Sequence, residues 1–539
     1  MSDAASVASL KEGLSPGDTH VLAIDLGTGG PKVALVSATG RVAASAFEPV
    51  EMQLLPGGGA EQDPAAWWAA IAASSRRILA EGVVPVDHIV GVGCTAQWSG
   101  TVACDAEGTP LRPAVTWMDS RGNTAIRKQM AGTVNVLGYD ARKIQRWVRL
   151  TGGAPSHSGK DPVAHILWIR DQEPDVYRAT HKFLEPVDWL NQQLTGRFAA
   201  SHDTIVMHWV TDNRTIGAVA YDPTLLQMAG LERSKLPDLV PSASVIGELR
   251  ASAADDLGLP PGLPVTTGSS DVHSAAVGSG AVADFQPHLY IGTSSWISCH
   301  VPFKKTAITS NVASIPASIP GRYLVADEHE TAGACLTFLA ENLLFPDDAL
   351  ATPRPEGNLY KLLDEVAAGV PAGANRVLFT PWLNGERSPV DDHTIRGGFH
   401  NLSLSTRRAD LVRAVYEGVA FNSRWLLGAV EKFVDRPFSS LAFIGGGANS
   451  DVWSQIHADV TGRTIRPVVD PVMANVRGAG LLTLLALGRV EVADIPAMVE
   501  VRATFRPDPD NRAVYDELFA EFVNLYKQTK AIHKRLNRF

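Results

Sequence analysis

The chain has 539 residues, of which 45% are hydrophobic and 19% charged, and a formal net charge of −9. That length exceeds a single core and implies two large domains, while the acid excess disfavours nucleic acid as a partner. No apolar run is long enough to span a bilayer. No basic-then-apolar leader opens the chain, and Cys94, Cys104, Cys299 and Cys335 lack CxxC spacing. Neither a structural zinc site nor a disulfide framework is expected, and the cytoplasm is the expected compartment.

Residues 1–18 read as a loose tail. His20 to Leu26 is an apolar strand, and Gly27-Thr-Gly-Gly-Pro31 is a tight turn. A second strand carrying Val33, Leu35 and Val36 completes a hairpin. Asp25 ends the first strand inside an apolar run, where a charge needs a job or a partner. Gly27, Gly29 and Gly30 let the backbone approach a ligand with its N–H groups aimed at it. Thr28 adds a hydroxyl and Lys32 a positive charge. The set suits a phosphate chain with its metal ion; an ordinary glycine-rich turn is the alternative.

Glu61-Gln-Asp-Pro64 starts a helix running to about Glu81, with Asp63 as N-cap and Pro64 at the first helical position. Ile89 to Thr95 is a buried strand with Gln97-Trp-Ser-Gly100 at its end. A hairpin passes Asp105 to Gly108, and a further strand from Ala114 ends in Thr116-Trp-Met-Asp-Ser-Arg121. Gln97, Trp98, Ser99, Trp117, Asp119 and Arg121 thus gather at strand ends, where open α/β sheets bind ligands. Plain core packing is the competing role for Trp98 and Trp117. Residues 122–229 are mainly helical, with amphipathic spacing over Pro162–Asp171 and Pro186–Leu194. Ser156 to Pro162 is a loop, and Lys160 in it reads as a solvated charge.

Leu263 to Thr266 is a buried strand, followed by a segment of small and apolar residues, Thr267 to Gly280, whose one acid is Asp271. An acid at a strand end facing a cleft can take a proton from a substrate hydroxyl. Capping of a helix from Val272 is the alternative. Pro287 to Cys299 repeats the strand, Gly-Thr, strand pattern, with Thr293 lying 265 residues after Thr28. That spacing, about one domain, is the sign of a duplicated fold. The position matching Asp25 is Ile291 or Tyr290, so only the first hairpin can manage a metal ion. Further on come a helix over Glu330–Leu344, a turn-rich loop over Thr380–Pro389 and a long amphipathic helix over Asp410–Phe433. Leu441 to Asp451 is strand, triple-glycine turn and helix, a place for a ring or a ribose to lie against backbone. Gly478-Ala-Gly-Leu481 opens another helix, and the last 30 or so residues form an amphipathic helix packing on the second domain.

Two Gly-Thr hairpins, an acid between them and a late glycine turn together resemble the FGGY carbohydrate kinases, the xylulose and glycerol kinase family. That family belongs to the actin, hexokinase and heat-shock chaperone superfamily of ATPases. The resemblance spans about Val21 to Gly488 and is strongest to the xylulokinase branch. Its marks are Ile24-Asp-Leu-Gly-Thr28, Glu61-Gln-Asp-Pro64 with Trp67 and Trp68, Thr116 to Arg121, Gly385-Glu-Arg-Ser-Pro389 and Phe443-Ile-Gly-Gly-Gly-Ala448. The family's second signature runs from Gly397 to Leu402 and, after seven residues, from Asp410 to Glu417.

The resemblance implies an α/β fold of two duplicated actin/hexokinase-like (ribonuclease H-like) domains with a cleft between them. The expected divisions are a tail over 1–18, an N-terminal domain over 19–283, a C-terminal domain over 284–490 and a helical extension over 491–539. It implies transfer of the ATP phosphoryl group to a small sugar or polyol, with Mg²⁺ and ATP as cofactors. Asp271 would accept the hydroxyl proton, and Asp25 would hold Mg²⁺ through water. Gly27, Thr28, Gly29 and Lys32 would hold the transferring phosphate, and Gly292, Thr293 and Ser294 the others. Gly445, Gly446, Gly447 and Asn449 would seat the adenosine. Gln97, Trp98, Ser99, Asp119 and Val272 would face the sugar, with Arg121 nearby. Neither nucleic acid nor membrane is an expected partner, and a homodimer stays open as the assembly. The rival readings are a kinase for ribulose, a tetritol or glycerol, and a non-catalytic relative that binds sugar and ATP.

Some positions depart from the family pattern. Trp98-Ser99 stands where xylulokinases carry Met-His, and Val272 where they carry Asn. Both changes remove groups able to read hydroxyls, so substrate choice should shift or relax. Pro31 removes an N–H donor from the first phosphate loop. His165 replaces a signature Lys, and Asn401 a signature Gly.

Overall fold

The computed structural model describes residues 15–136 and 138–537. Of the expected tail, residues 1–14 lie outside that range, and Ser15 to Asp18 form a turn in which Asp18 and Thr19 donate to the Ser15 carbonyl.

Two seven-stranded sheets organise the chain. The first contains β1 (His20–Gly27), β2 (Gly30–Ser37), β3 (Val42–Phe47), β4 (Ile89–Ala96), β5 (Val245–Glu248) and β6 (Pro264–Thr266) in the order β5-β6-β4-β1-β2-β3, with Ser269–Ser270 beside β4. The second contains β7 (Pro287–Ile291), β8 (Ser295–Val301), β9 (Thr306–Ala307), β10 (Val312–Pro316), β11 (Tyr323–Ala326), β12 (Ser440–Ile444) and β13 (Thr464–Pro467) in the order β9-β10-β11-β8-β7-β12-β13. In each sheet one hairpin strand pairs antiparallel with its successor and parallel with a later strand: β1 with β2 and β4, β7 with β8 and β12. This shared wiring is the duplication that the two Gly-Thr motifs predict.

The helices that position the site are α1 (Pro64–Ala80), α2 (Asp271–Gly278), α3 (Arg408–Val434), α4 (Asp451–Thr461), α5 (Ala474–Ala486) and α6 (Arg512–Leu536). Inside their end residues, strands β1 and β2 are apolar on both faces apart from Asp25 and Lys32, because both faces of their sheet are covered. Leu22, Ile24, Val33 and Leu35 join one core with Trp67 and Ile71 of α1. Val21, Ala23, Ala34 and Val36 join another with Val476, Ala479 and Leu484 of α5. So α5, late in the sequence, packs on the first sheet. The Asp63 carboxylate accepts from the Ala65 N–H and caps α1, as its sequence predicts.

Three expectations change. Gly478 and Gly480 lie inside α5 and do not open it. Gly478 is there because α5 crosses α2 backbone to backbone, and Gly480 because a Cβ there would stand 2.5 Å from Val36 of β2. A Cβ on Gly478 would stand 1.8 Å from the Ser274 carbonyl oxygen, and one on Gly278 1.7 Å from that of Ala474. The helix expected from Glu330 begins at Gly333, because His329 instead bridges to Ser295 as an extension of the sheet. The strand from Ala114 lasts two residues, and Trp117 to Arg121 is a turn. Among the described residues no helix is long and apolar enough to cross a membrane.

Candidate active site

The first hairpin turns at Thr28–Gly29, between the paired Gly27 and Gly30. Gly29 is exposed and a Cβ there would meet nothing, so its backbone stays open to a ligand. The Thr28 hydroxyl accepts from Trp117 Nε1 at 3.0 Å and faces Gln97 Oε1 at 3.3 Å. Gln62 Nε2 donates to the Thr28 carbonyl at 2.8 Å, and Gln97 Nε2 donates to Gln62 Oε1 at 2.8 Å. This network ties the Thr28 turn to Gln97, one of the residues expected to face the sugar. Gln62 was legible only as part of a helix start; its amide is the hub of the contact.

Antiparallel register sets Asp25 opposite Lys32. Lys32 Nζ lies 4.0 Å from Asp25 Oδ2 and donates to the Val472 carbonyl of the other half at 2.9 Å. Burial raises the Asp25 carboxyl above its usual range, and Lys32 opposes that rise. Asp25 Oδ1 is buried with no hydrogen-bond partner. An orphaned carboxylate oxygen of this kind needs a cation or water, and so fits a hydrated metal ion. Among the described residues no group of three or more His, Cys, Asp or Glu could hold a metal alone, so phosphate oxygens would complete the shell. In the second hairpin the residue two before the glycine is Tyr290. It pairs with Trp296 and stacks on it at 3.8 Å and 10°. The duplicated position has exchanged an ion pair for an aromatic pair.

Asp271 is the first residue of α2, and its Oδ1 accepts from the Val272 N–H at 2.9 Å. The N-cap of α2 is Ser270, so Asp271 lies inside the helix that the sequence starts at Val272, where the Asp25 and Glu328 charges act on it. Burial first, then the Asp25 charge, push its carboxyl up to about 7, with Glu328 adding to the rise. A carboxylate poised there suits a general base at neutral pH. An unfolded carboxylate releases its proton near pH 4, whereas the folded chain holds the Asp271 proton to about pH 7, so stability falls as pH rises through that window. Asp271→Asn removes the effect. Its melting temperature is expected to exceed that of the wild type at pH 8, with the gap closing toward pH 4; scanning calorimetry across pH checks this, and a pH-independent gap contradicts it.

Other expected site residues fall in two groups. Trp98 is half-buried, with its indole N–H on the Thr204 carbonyl at 3.0 Å and its ring edge against His273. Ser99 holds a positive φ of 65° and donates to the Lys160 carbonyl at 2.9 Å. Val272 packs beside Ala276, Ala317 and Leu324. These stay near the cleft. Asp119, expected to face the sugar, is only 1% exposed and engaged at both oxygens. It accepts from the Ala60 and Arg121 N–H groups and from Arg121 Nε. Arg121 is held by Asp119 and Glu61 and lies over the Trp168 ring. The pair braces the turn that carries Trp117.

On the second half, the carbonyls of Gly292 and Thr293 accept from Gly333 and Ala332 N–H groups, and the Thr293 side chain is exposed. Gly445 (φ 85°) and Gly447 are demanded by packing. A Cβ on either would meet Ile291 at 2.4 and 2.8 Å. Gly446 and Asn449 are exposed, and Gly446 is open to a flat ring.

Lys160 is not the solvated charge expected. Its side chain is 22% exposed and its Nζ is 3.9 Å from Glu330 Oε2 across the halves. Burial lowers its pKa against the pull of Glu330. The acid run Asp327-Glu-His-Glu330 directly after β11 was the signal that could have found this partner.

Residues 20–278 match the family described as "FGGY family of carbohydrate kinases, N-terminal domain", and residues 289–487 match its C-terminal domain. The chain is 27% identical to the xylulose kinase of Staphylococcus epidermidis, over 95% of this chain and 97% of that one. It is 24% identical to the gluconokinase of Bacillus subtilis, over 94% and 95%. The crystal structure described as that of a xyloylose kinase from Brucella ovis superposes with a TM-score of 0.82 at 26% identity, covering 95% of this chain and 100% of that one.

Proposed function

Because this chain belongs to the FGGY family of carbohydrate kinases, and is on that ground an ATP-dependent sugar kinase with the two-domain actin/hexokinase-like fold, we propose that it phosphorylates a neutral ketose or polyol. The observation that carries the reading is Asp271, a carboxylate whose proton affinity sits near neutrality beside the orphaned oxygen of Asp25.

Phosphoryl transfer depends on positioning and charge stabilisation more than on covalent chemistry. Asp271 takes the proton of the acceptor hydroxyl as that oxygen attacks. Thr28, the Gly29 N–H and Lys32 hold the transferring group, and Thr293 and Ser294 the rest of the phosphate chain. Gly446 and Asn449 lie under the adenosine. Asp25 would anchor Mg²⁺, which would supply neutralisation of phosphate charge when bound. Gln97, Trp98, Ser99 and Val272 line the acceptor. The four cysteines are unbridged and buried, which suits a reducing cytoplasm.

The xylulose kinase relatives favour a pentulose, and the gluconokinase relative raises an aldonate instead. The charges of this cleft favour the neutral acceptor. The Glu328 charge acts on Asp271, and Arg387 is already bound to both Glu328 and Glu330. The departures at Trp98, Ser99 and Val272 support ranking D-xylulose below another neutral acceptor. Steady-state kinetics over pentuloses, pentitols, tetritols, glycerol and gluconate check this. The expected order puts a neutral acceptor other than D-xylulose first; preference for gluconate overturns the class, and preference for D-xylulose overturns the ranking.

A further inference from the structure

Lys160 and Glu330 have no task in proton transfer, yet they meet between the two halves. The loop that carries Lys160 is fixed from both sides. Asp161, 5% exposed, accepts from the Ser156 N–H at 2.5 Å and from Trp209 Nε1 at 3.1 Å. The Lys160 carbonyl accepts from Ser99, the residue at the acceptor turn. Its ammonium is therefore delivered to the cleft by a rigid loop. Opposite, Arg387 joins Glu328 and Glu330, and Asn384 donates to Glu330 Oε2 at 3.3 Å. The gap of 3.9 Å from Lys160 Nζ to Glu330 Oε2 is too long for a hydrogen bond. Among the described residues the Lys160 ammonium makes no hydrogen bond, so a long ion pair, whose Glu330 Oε2 also accepts from Asn384, spans the halves beside the turn that carries Ser99.

Resting on the reading of a neutral sugar or polyol kinase, we propose that Lys160 and Glu330 form an acceptor clamp, one jaw from each half, that reads adjacent hydroxyls of the acceptor. The ammonium donates to one hydroxyl and the carboxylate accepts from its neighbour. A 1,2-diol offers both roles; an aldonate carboxylate offers Glu330 only repulsion. Because the jaws come from different halves, a bound acceptor also draws the halves together over Asp271.

The test is steady-state kinetics of the full chain with Mg·ATP and D-xylulose, D-ribulose, xylitol, erythritol, glycerol and D-gluconate. Wild type is compared with Lys160→Met, Lys160→Arg, Glu330→Gln and the double variant K160M/E330Q. Loss of a charged hydrogen bond predicts an acceptor KM raised about tenfold or more in K160M, with the ATP KM within about twofold. K160R restores part of the loss, and the double variant loses less than the two singles multiplied. If the wild type turns over neutral acceptors and K160M leaves their KM unchanged, the clamp is wrong and the kinase reading stands. If K160M shifts the ATP and acceptor KM values alike and lowers the melting temperature, Lys160 is structural and the clamp is also wrong. If no neutral acceptor is turned over, or gluconate is preferred, the reading of the acceptor class fails and the clamp with it.

Discussion

Asp271→Asn is expected to lower turnover about a thousandfold, within the range of roughly 10² to 10⁴ typical for removal of a general base. Asparagine keeps the size of the side chain and its bond from the Val272 N–H, and removes only the capacity to take a proton. ATP affinity, measured by calorimetric titration, should therefore stay within about twofold. The wild type should also show an acid limb in kcat/KM near pH 7, because the base must be ionised and its carboxyl titrates at about 7. Turnover retained within tenfold would place the base elsewhere. A wild-type profile flat down to pH 5 would show that Asp271 is not the titrating group.

Gly478→Ala is expected to cause the largest loss of stability. The added methyl would stand 1.8 Å from the Ser274 carbonyl oxygen and 2.9 Å from the Gly278 nitrogen. Both are backbone atoms of α2, so no rotamer change relieves the overlap. Overpacking of this kind costs about 1–3 kcal/mol and sometimes more, and about 2–4 °C of melting temperature accompanies each kcal/mol in domains of this size. Since α2 carries Asp271 at its start, parting the helices also displaces the base, and turnover should fall with stability. Gly428→Ala is the contrast. Gly428 is an exposed interior position of α3 where an added methyl would meet nothing within 4 Å, and its φ is not positive. There the better helix propensity of alanine should hold or raise the melting temperature, by up to about 1 kcal/mol of stability. Equal shifts for the two variants would contradict a close crossing of α2 and α5.

What could be read from sequence was local. Asp25 and Lys32 announce themselves because a charge at the end of an apolar strand and its cross-strand neighbour lie within one hairpin. Asp271 stands out because nothing else polar and charged occurs in its segment. The duplication shows as a repeated Gly-Thr turn. What stayed hidden depends mainly on partners far along the chain. Gly478 looks like a helix opener until Ser274 is known to lie against it. Lys160 looks solvated until Glu330 is set opposite. Asp119 reads as facing the sugar, and its two oxygens accept from Ala60, distant in sequence, and from Arg121. A fold that closes one sheet with a helix from the other half hides such contacts from any window of neighbouring residues.

ATP, lodged between the two halves, is expected to give up its phosphoryl group to an alcohol of a neutral polyhydroxy molecule. Phosphorus-31 NMR of the purified chain with Mg·ATP and each member of the acceptor panel observes that transfer directly. The predicted result is a phosphate monoester resonance on at least one ketose or polyol, growing one for one with ADP and missing in Asp271→Asn. ADP accompanied only by inorganic phosphate, or an ester formed on gluconate alone, would contradict it.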